Sequence, residues 1–373
     1  MSWIEKLYRT YENNLKHVGD QNEAIPLLPL YHNTQNAQVH VVLDGDGNYL
    51  RASVVNKDDA QTIIPATEES AGRSSSKIAP HPLCDTLQYV AGDYLSWGGN
   101  PRKKKNESGY EPYIKALQGW ADWSNNRKLK SVLMYLRKCC LIKDLIEHKM
   151  LFADCRGQLV ETWNETQEVP PIFKAVKLAN KKGQYEAFVR FSVEIPGVMP
   201  SELWKDRVLQ ESWNEYYSTL QKYTDVCMVT GEKKNIASSH PKNIRYPGDG
   251  AKLISSNDKE GFTYLGRFMS DKEACGVGIE VTQKAHSALR WLISRQGRRD
   301  GDQAVVAWAV SGAEVPDLLA DTYFLVFGGE QQSTSEGTGY TAQEFGVAFS
   351  KLIAGYSAKL GSTEDIVVMG LDS

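Results

Sequence analysis

Residues 38–64 read QVHVVLDGDGNYLRASVVNKDDAQTII, and this stretch decides the fold class. Two runs in which apolar and polar residues alternate flank the sequence Asp-Gly-Asp-Gly at 44–47. Such alternation is typical of strands with one buried face, and Asp-Gly between two such runs is a strong hairpin signal. The stretch therefore predicts a β-meander, and with it a fold that contains antiparallel sheet.

Helical and strand patterns share the rest of the chain. Helices are predicted from their apolar periodicity at 1–20, 110–122, 127–149, 201–223, 281–296 and 341–360. A second hairpin is predicted at 150–162, and further strands at 187–197, 303–310, 322–328 and 365–371. Ser201 is the predicted N-cap of the helix at 201–223. The predicted fold class is α+β, with mixed antiparallel sheets, flanking helices and two to three subdomains.

Three domains are predicted from these patterns. They are a β-meander and helix unit at 1–110, a helical and hairpin unit at 111–223, and an α/β unit with candidate binding loops at 224–373.

The composition excludes several classes of protein. The chain has 373 residues, and its 41% apolar content suffices for a sizeable core. It contains no apolar run long enough to span a membrane, and its amphipathic start lacks the apolar segment of a signal peptide. Its six cysteines form no C-x-x-C pair, which favours reduced thiols in a cytoplasmic protein. The net charge of -3 argues against unspecific coating of DNA, although local basic patches matter more than the sum.

The stretch DVCMVTGEKKNIASSHPK at 225–242 is compatible with several kinds of site. A closed zinc site needs four Cys or His ligands in close pairs, and a nucleophilic cysteine needs a base with an orienting partner. Cys227 and His240 have no such companions nearby in the sequence. A plainer alternative is a turn at Thr230-Gly231 that follows a strand, with Cys227 buried.

A loop that holds nucleic acid is a further alternative for the same region. Within twenty residues the chain carries five basic side chains, namely Lys233, Lys234, Lys242, Arg245 and Lys252. Short polar side chains follow at 255–257, and the glycines at 231, 248 and 250 permit close approach of a ligand to the backbone. Basic groups position phosphates, and small polar side chains can read base edges. A solvated basic loop has the same composition.

Two other stretches carry the same ambiguity. On the predicted helix at 281–296, His286 and Arg290 lie one turn apart on a polar face, which can contact a phosphate chain or simply face solvent. Arg73, three serines and Lys77 occur close together at 73–77, where they can grip a nucleic-acid backbone or form a surface linker.

Catalytic motifs are absent from the sequence. It has no phosphate-binding glycine loop, dinucleotide fingerprint or hydrolase motif. A metal-dependent nuclease acting on RNA or DNA is the alternative function, and it would need clustered carboxylates to hold Mg²⁺. Asp225, Glu232 and Asp249 are the nearest such cluster in the sequence.

Three motifs, in this order, make the chain similar to one family, the large subunit of the type I-C CRISPR surveillance complex (Cascade). They are RSSSKIAPHPLCD at 73–85, CMVTGEKKNIASSHPKNI at 227–244 with GAKLISSNDKEGFTYLGRF at 250–268, and EVTQKAHSALRWLISRQG at 280–297. The resemblance covers most of the chain and corresponds to the N-terminal portion of the family. Family members are longer and end in a helical bundle, which this chain is expected to lack. Ser256 stands where the family often has an aromatic residue.

The resemblance implies a non-catalytic subunit that requires no cofactor and no metal. In such complexes guide RNA pairing reads the target, and protein reads a short adjacent motif, the PAM. The implied role is to recognise the PAM duplex, to help unwind target DNA and nucleate the R-loop, and to help recruit the helicase-nuclease in antiviral defence. The implied partners are the crRNA, double-stranded target DNA and its displaced strand, the backbone and 5′-handle-binding subunits of Cascade, the small subunit and the helicase-nuclease, with no membrane.

The resemblance also suggests which residues bind. PAM recognition is assigned to Lys252, Ser255, Ser256 and Asn257, because short polar groups suit the minor groove, whose pattern separates A·T from G·C. Phosphate contacts are assigned to Arg73, Lys77, Lys233, Lys242, Lys284 and Arg290. A wedge loop is assigned to Gly98, Gly99 and Asn100, and contact with displaced strand or guide RNA to the basic residues at 102–105.

Overall fold

A computed structural model describes residues 2–73, 78–99, 109–163, 168–246, 248–255, 268–312 and 366–372. Its helices are α1 Trp3–Asn13, α2 Glu68–Ala71, α3 Leu87–Val90, α4 Tyr110–Ser124, α5 Arg127–Leu136, α6 Leu141–Glu147, α7 Pro171–Leu178, α8 Arg207–Leu220, α9 Asp271–Ala274 and α10 Ile279–Gln296. Its strands are β1 His32–Asn36, β2 Val39–Asp44, β3 Tyr49–Val54, β4 Gln61–Pro65, β5 Asp85–Thr86, β6 Phe188–Glu194, β7 Thr224–Val226, β8 Lys233–Asn235, β9 Arg298–Asp300, β10 Gln303–Ala309 and β11 Ile366–Leu371. The α+β class is confirmed.

The chain divides into two compact units. Unit 1 comprises Met1–Leu28 and Lys222–Ser373, and unit 2 comprises Pro29–Gln221. The first helix therefore belongs to the same unit as the C-terminal part of the chain, whereas the three predicted domains were continuous in sequence.

Unit 2 is organised around a four-stranded sheet in the order β3-β2-β6-β5. β2 pairs antiparallel with β3 and parallel with β6, so it lies inside the sheet. The predicted hairpin between β2 and β3 is confirmed. Its turn is held by Asp44, whose Oδ1 accepts hydrogen bonds from the N–H groups of Asp46 and Asn48 at 2.9 and 2.8 Å. Gly47 supplies the positive φ of 73° that the turn requires.

The prediction that residues 61–64 form the third strand of the meander was wrong. β4 pairs antiparallel with β1, not with β3, and the register places Thr34 opposite Ile63. Between β3 and β4 the chain turns through a 3₁₀ segment, Lys57–Asp59, and the Ala37 N–H donates to the Ala60 carbonyl at 2.8 Å. Every residue of β4 after Gln61 is buried, so this strand needs cover on both faces and is not a half-exposed meander strand.

Three predicted helices have different bounds in the structure. The helix predicted at 1–20 ends at Asn13 and is followed by a 3₁₀ turn, Leu15–His17. The helix predicted at 127–149 is interrupted between α5 and α6, where Cys139 has a φ of 50° that ends a helix. The helix predicted from Ser201 begins at Arg207, and its N-cap is Asp206, which accepts from the N–H groups of Val208 and Leu209. The predicted hairpin at 150–162 is reduced to a single antiparallel bridge, between Ala153 and Leu159.

Unit 1 has α10 at its centre. Helix α1 packs along α10, and the sheet β11-β10-β9 supplies further core residues. The Trp308 ring on β10 is buried, and its Nε1–H donates to Thr10 Oγ1 on α1 at 2.9 Å. The strand predicted at 322–328 and the helix predicted at 341–360 lie outside the described residues. Within the described part of the chain, no helix combines the length and apolarity that a membrane crossing requires.

Candidate nucleic-acid interface

The stretch at 225–242 begins as a tight hairpin of β7 and β8. The Cys227 N–H donates to the Glu232 carbonyl, and the Gly231 N–H donates to the Cys227 carbonyl, both at 2.8 Å. Cys227 is fully buried, and its Sγ accepts a hydrogen bond from the Gly278 N–H at 3.3 Å. Burial acts to raise the pKa of this thiol, but several backbone N–H donors outweigh it and lower the pKa. The predicted turn with a buried Cys227 is confirmed.

This hairpin is bonded to the segment that enters α10. The Met228 N–H donates to the Gly276 carbonyl at 2.8 Å, and the Ala237 N–H donates to the Val277 carbonyl at 2.9 Å. Lys234 Nζ also reaches Glu280, in the first turn of α10, at 3.1 Å. The second and third sequence motifs are therefore one structural region, because the 227–244 stretch is built onto the start of α10.

A buried ion pair shapes the loop that follows. Arg245 Nε and Nη2 donate to the two carboxylate oxygens of Asp249 at 2.9 and 3.0 Å, and Arg245 Nη1 donates to the Asp302 carbonyl at 2.6 Å. The hydrogen bonds from Arg245 lower the pKa of Asp249 to about 2, although burial acts in the opposite direction. The Ala251 N–H donates to Asp249 as well, so this clamp fixes the chain immediately before Lys252.

Lys252 is the one predicted PAM-contacting side chain that the structure places in detail. It is half-buried, and its Nζ donates to Ser239 Oγ at 2.9 Å. Ser255 is exposed and ends the described part of this loop. The other two predicted residues, Ser256 and Asn257, lie outside the described residues.

The lysines of this region fall into two groups. Lys284 is largely buried and its Nζ contacts Glu12 at 2.7 Å and Glu280 at 2.6 Å, so its charge is balanced within the fold. Three lysines have no carboxylate within ion-pair distance in the described part of the chain, and these are Lys233, Lys242 and Lys252. Surface cations without a carboxylate partner remain available to phosphates.

Polar side chains connect the loop to the middle of α10. His240 Nδ1 lies 2.9 Å from Thr282 Oγ1, which in turn lies 3.1 Å from His286 Nδ1. Burial, reinforced by the charge of Lys252, lowers the pKa of His240 to about 4. Burial lowers the pKa of His286 to about 3 and that of Arg290 to about 10. Both histidines are therefore neutral near neutral pH.

The first sequence motif belongs to unit 2 and is held by its own ion pair. Arg73 Nη1 and Nη2 each donate to one carboxylate oxygen of Asp85 at 2.7 Å, and Arg73 also donates to the Ala79 carbonyl at 3.1 Å. Asp85 is fully buried and additionally accepts from the His81 N–H. Arg73 and Asp85 thus join the two ends of the motif. Lys77, between them in sequence, lies outside the described residues.

The glycines of the predicted wedge loop have a packing role. The Gly99 N–H donates to the Tyr94 carbonyl at 3.0 Å, and a Cβ at Gly99 would lie 2.4 Å from atoms of the Tyr94 ring. A side chain at this position would collide with that ring, which explains the glycine without a ligand. Gly98 lies in the same turn, whereas Asn100 and the basic residues at 102–105 lie outside the described residues. The wedge assignment stays a prediction.

Comparison with known families now identifies the chain. The family model described as CRISPR-associated protein (Cas_Csd1) matches residues 7–373. The chain belongs to the Cas_Csd1 family. No curated protein matches the sequence. The match contains all three sequence motifs, so the resemblance to a CRISPR-associated family is confirmed at this level.

Two of the carboxylates considered for a nuclease make other contacts in this Cas_Csd1 protein. Asp249 forms an ion pair with Arg245. Asp225 accepts hydrogen bonds from the Tyr223 hydroxyl at 3.0 Å and the Val226 N–H at 2.7 Å. Within the described ranges, no three His, Cys, Asp or Glu side chains come together in a way that could hold a metal ion.

Sequence reasoning missed the partners that position this candidate interface. It placed Arg245 among the basic residues of a loop but did not pair it with Asp249, although a spacing of four residues brings such side chains together in a turn. It also missed the link from His240 to Thr282, since these residues are far apart in sequence and no local pattern joins them. Whether the assigned residues bind PAM or phosphate stays a prediction.

Proposed function

We propose that this protein is the non-catalytic large subunit of a type I-C CRISPR surveillance complex, and that the loop around 252–257 recognises the PAM. One observation carries the proposal. On the motif-bearing segment of unit 1, Lys233, Lys242 and Lys252 lack carboxylate partners in the described ranges, while the adjacent Arg245–Asp249 clamp holds the backbone that presents Lys252.

The arrangement suits reading of a short duplex motif. The clamp holds the chain immediately before Lys252, from which short polar groups enter the minor groove, and Lys233 and Lys242, which precede this loop in sequence, neutralise phosphates. Binding is weak and reversible because few phosphates are neutralised, which a subunit that scans many sites requires. In this proposal the subunit then helps to separate the strands, supports pairing by the crRNA and contributes to recruitment of the helicase-nuclease.

The test is a binding measurement on the reconstituted, guide-loaded complex at one fixed salt concentration. Target duplexes differ in the PAM alone, and the proteins are wild type, Lys252→Ala and Asn257→Ala. We expect both variants to lose discrimination between PAMs while they still bind a target that is already melted. Lys143→Ala is the matched control, because Lys143 is an exposed lysine of unit 2 with Glu147 as its neighbour at 3.8 Å. Unchanged discrimination in both variants would contradict the proposal.

A further inference from the structure

Trp123 is the only exposed residue among the nine tryptophans of the chain, all of which the structure describes, and 46% of its surface is accessible. It lies in the last turn of α4, in unit 2. An indole buries a large apolar area when a partner covers it, and tryptophan is enriched among the residues that dominate the affinity of protein interfaces. Because single exposed apolar residues are common on protein surfaces, the surroundings of Trp123 decide what it can bind.

The Trp123 ring is held by a row of aromatic side chains that begins in the core. Its centroid lies 5.7 Å from that of the Tyr216 ring on α8, and the Tyr216 ring lies 5.8 Å from that of Trp213. Trp213 is buried and contacts the buried Trp120 ring of α4 edge-on at 5.2 Å. Contacts with buried rings restrict the exposed one, so Trp123 and Tyr216 form a pre-organised surface, which we call the aromatic platform.

A glycine inside α4 maintains the shape of the aromatic platform. A Cβ at Gly119 would lie 2.4 Å from the hydroxyl oxygen of Tyr216, so the phenol lies against the helix at the position where a side chain is missing. Glycine inside a helix is unfavourable relative to alanine, but an alanine at this position would displace the phenol. Gly119 precedes Trp123 by one helical turn, so both lie on the side of α4 that faces α8.

Carboxylates from both helices flank the aromatic platform. Burial raises the pKa of the Tyr216 hydroxyl, and the negative charge of Asp122 on α4 raises it further, so this carboxylate lies close to the phenol. Ser212 lies on the side of α8 that faces α4, because its Oγ accepts a hydrogen bond from an indole N–H of α4 at 3.1 Å. Glu215 follows Ser212 by three positions and therefore lies on the same side of α8.

Among the described residues, no cation forms an ion pair with Asp122 or Glu215. Asp122 accepts a hydrogen bond from the neutral amide of Gln118, and Arg137 of α5 donates to the oxygen of that amide and not to the carboxylate. The C-terminal half of α4, and α8 after its first residue, contain only acidic charged side chains, namely Asp122, Glu211 and Glu215. The negative charge beside the aromatic platform is therefore not neutralised within the described part of the fold.

An aromatic face next to carboxylates attracts a cation and repels a phosphate. The face of an indole attracts a guanidinium group, which stacks on it, and a carboxylate can accept charge-assisted hydrogen bonds from the same group. Nucleic acid would instead bring phosphates toward Asp122 and Glu215, which is unfavourable. We propose that the aromatic platform docks a basic segment of another protein subunit of the surveillance complex, with an arginine stacked on Trp123. The choice of a subunit of this complex rests on the proposed function.

The experiment measures the affinity of the full chain for the guide-loaded complex assembled from the other subunits, at several salt concentrations. The proteins are wild type, Trp123→Ala, Trp123→Phe and the double variant Asp122→Asn, Glu215→Gln. Leu178→Ala and Asp58→Asn are matched controls, because they change an exposed apolar residue and an exposed carboxylate elsewhere in unit 2. Single-stranded DNA of mixed sequence is a second probe, and sedimentation of the chain alone measures self-association. Urea unfolding of each variant verifies that the fold is retained.

Trp123→Ala should weaken binding to the complex about 30-fold, because an interface tryptophan that is covered by its partner carries a large share of the affinity. Trp123→Phe keeps an aromatic face and should weaken binding about threefold. The double carboxylate variant should weaken binding about tenfold at low salt and reduce its dependence on salt, since salt screens the attraction between charges. Both controls should bind as wild type does, and neither Trp123 variant should weaken binding to single-stranded DNA.

An affinity of Trp123→Ala for the complex equal to that of wild type would overturn the proposal. A loss confined to single-stranded DNA would overturn it too, because the indole would then stack on a base. A loss of self-association would show that a second copy of the chain covers the platform. A failure of the proposed function looks different. In that case the complete complex would bind all PAM variants equally, while the Trp123→Ala protein would still join the complex less tightly.

Discussion

The Arg73 corner of unit 2 and the α10 region of unit 1 are both rich in basic residues, yet their charges are balanced differently. In unit 2, Arg73 is bound to Asp85, and Lys128 to Asp206, and in each pair the carboxylate is buried. In unit 1, Arg245 and Lys284 have internal carboxylate partners as well, but Lys233, Lys242 and Lys252 have none in the described ranges. A density of lysine and arginine in the sequence therefore does not distinguish a structural cation from a binding one. The internal partner of each cation shows whether its charge is neutralised within the fold.

The largest expected effect is on the buried pair of unit 2. Lys128 Nζ lies 2.5 Å from Asp206 Oδ2, and Asp206 also caps α8. Asp206→Ala should lower the free energy of unfolding by about 3–5 kcal/mol, because it leaves a buried ammonium without its counter-charge. Urea unfolding of the full chain measures this. The double variant Lys128→Met, Asp206→Ala should recover part of the loss, and no recovery would mean that the cap and not the charge pair dominates.

The next effect sharpens the distinction between structural and binding arginines. Arg73→Ala should lower the free energy of unfolding by about 2–3 kcal/mol without any nucleic acid present, because Asp85 loses a bidentate partner inside the protein. Arg73→Lys should recover little, since an ammonium cannot make both hydrogen bonds. If instead stability is unchanged while the salt dependence of nucleic-acid binding falls, Arg73 contacts phosphate as the sequence predicted.

A smaller effect concerns the loop clamp and depends on pH. The pKa of Asp249 falls from 3.8 to about 2 in the folded chain, so ionised Asp249 stabilises the fold above about pH 4. This contribution is lost as the pH falls toward 2. The melting temperature of wild type should therefore drop more steeply between pH 5 and pH 2.5 than that of Asp249→Asn, measured by circular dichroism at matched salt. Parallel curves would show that the clamp is weak in solution.

The smallest expected effect on stability is at the unpaired lysines. Lys233→Ala and Lys242→Ala should each change the free energy of unfolding by less than about 0.5 kcal/mol, because neither side chain has a carboxylate partner to lose among the described residues. Each should still lower the salt slope of DNA binding by about 0.9. Lys284→Ala is the contrasting variant. It should destabilise the chain, since Glu12 and Glu280 lose their common cation, and it should leave the slope unchanged.

Local chemistry made several parts of the fold predictable. The Asp-Gly hairpin and the helices α1 and α10 each depend on residues close in sequence, and each is confirmed. The predictions of strand pairing and helix bounds were wrong where residues distant in sequence determine the structure. β4 pairs with β1 and is buried on both faces, and the helix after Arg127 is broken at Cys139 although no glycine or proline marks the break.

The sequence by itself determined the α+β class, the order of the motifs and, through them, the CRISPR-associated family. These properties follow from periodicity, turn chemistry and residue identity, which act over short stretches of chain. Tertiary structure alone decided which cations are neutralised, because a counter-charge can come from a distant element. Glu12 on the first helix reaches Lys284 on α10, and no local rule connects them. The same long-range packing buries His286 Nε2 and Arg290 Nε, and neither atom has a hydrogen-bond partner among the residues that the structure describes.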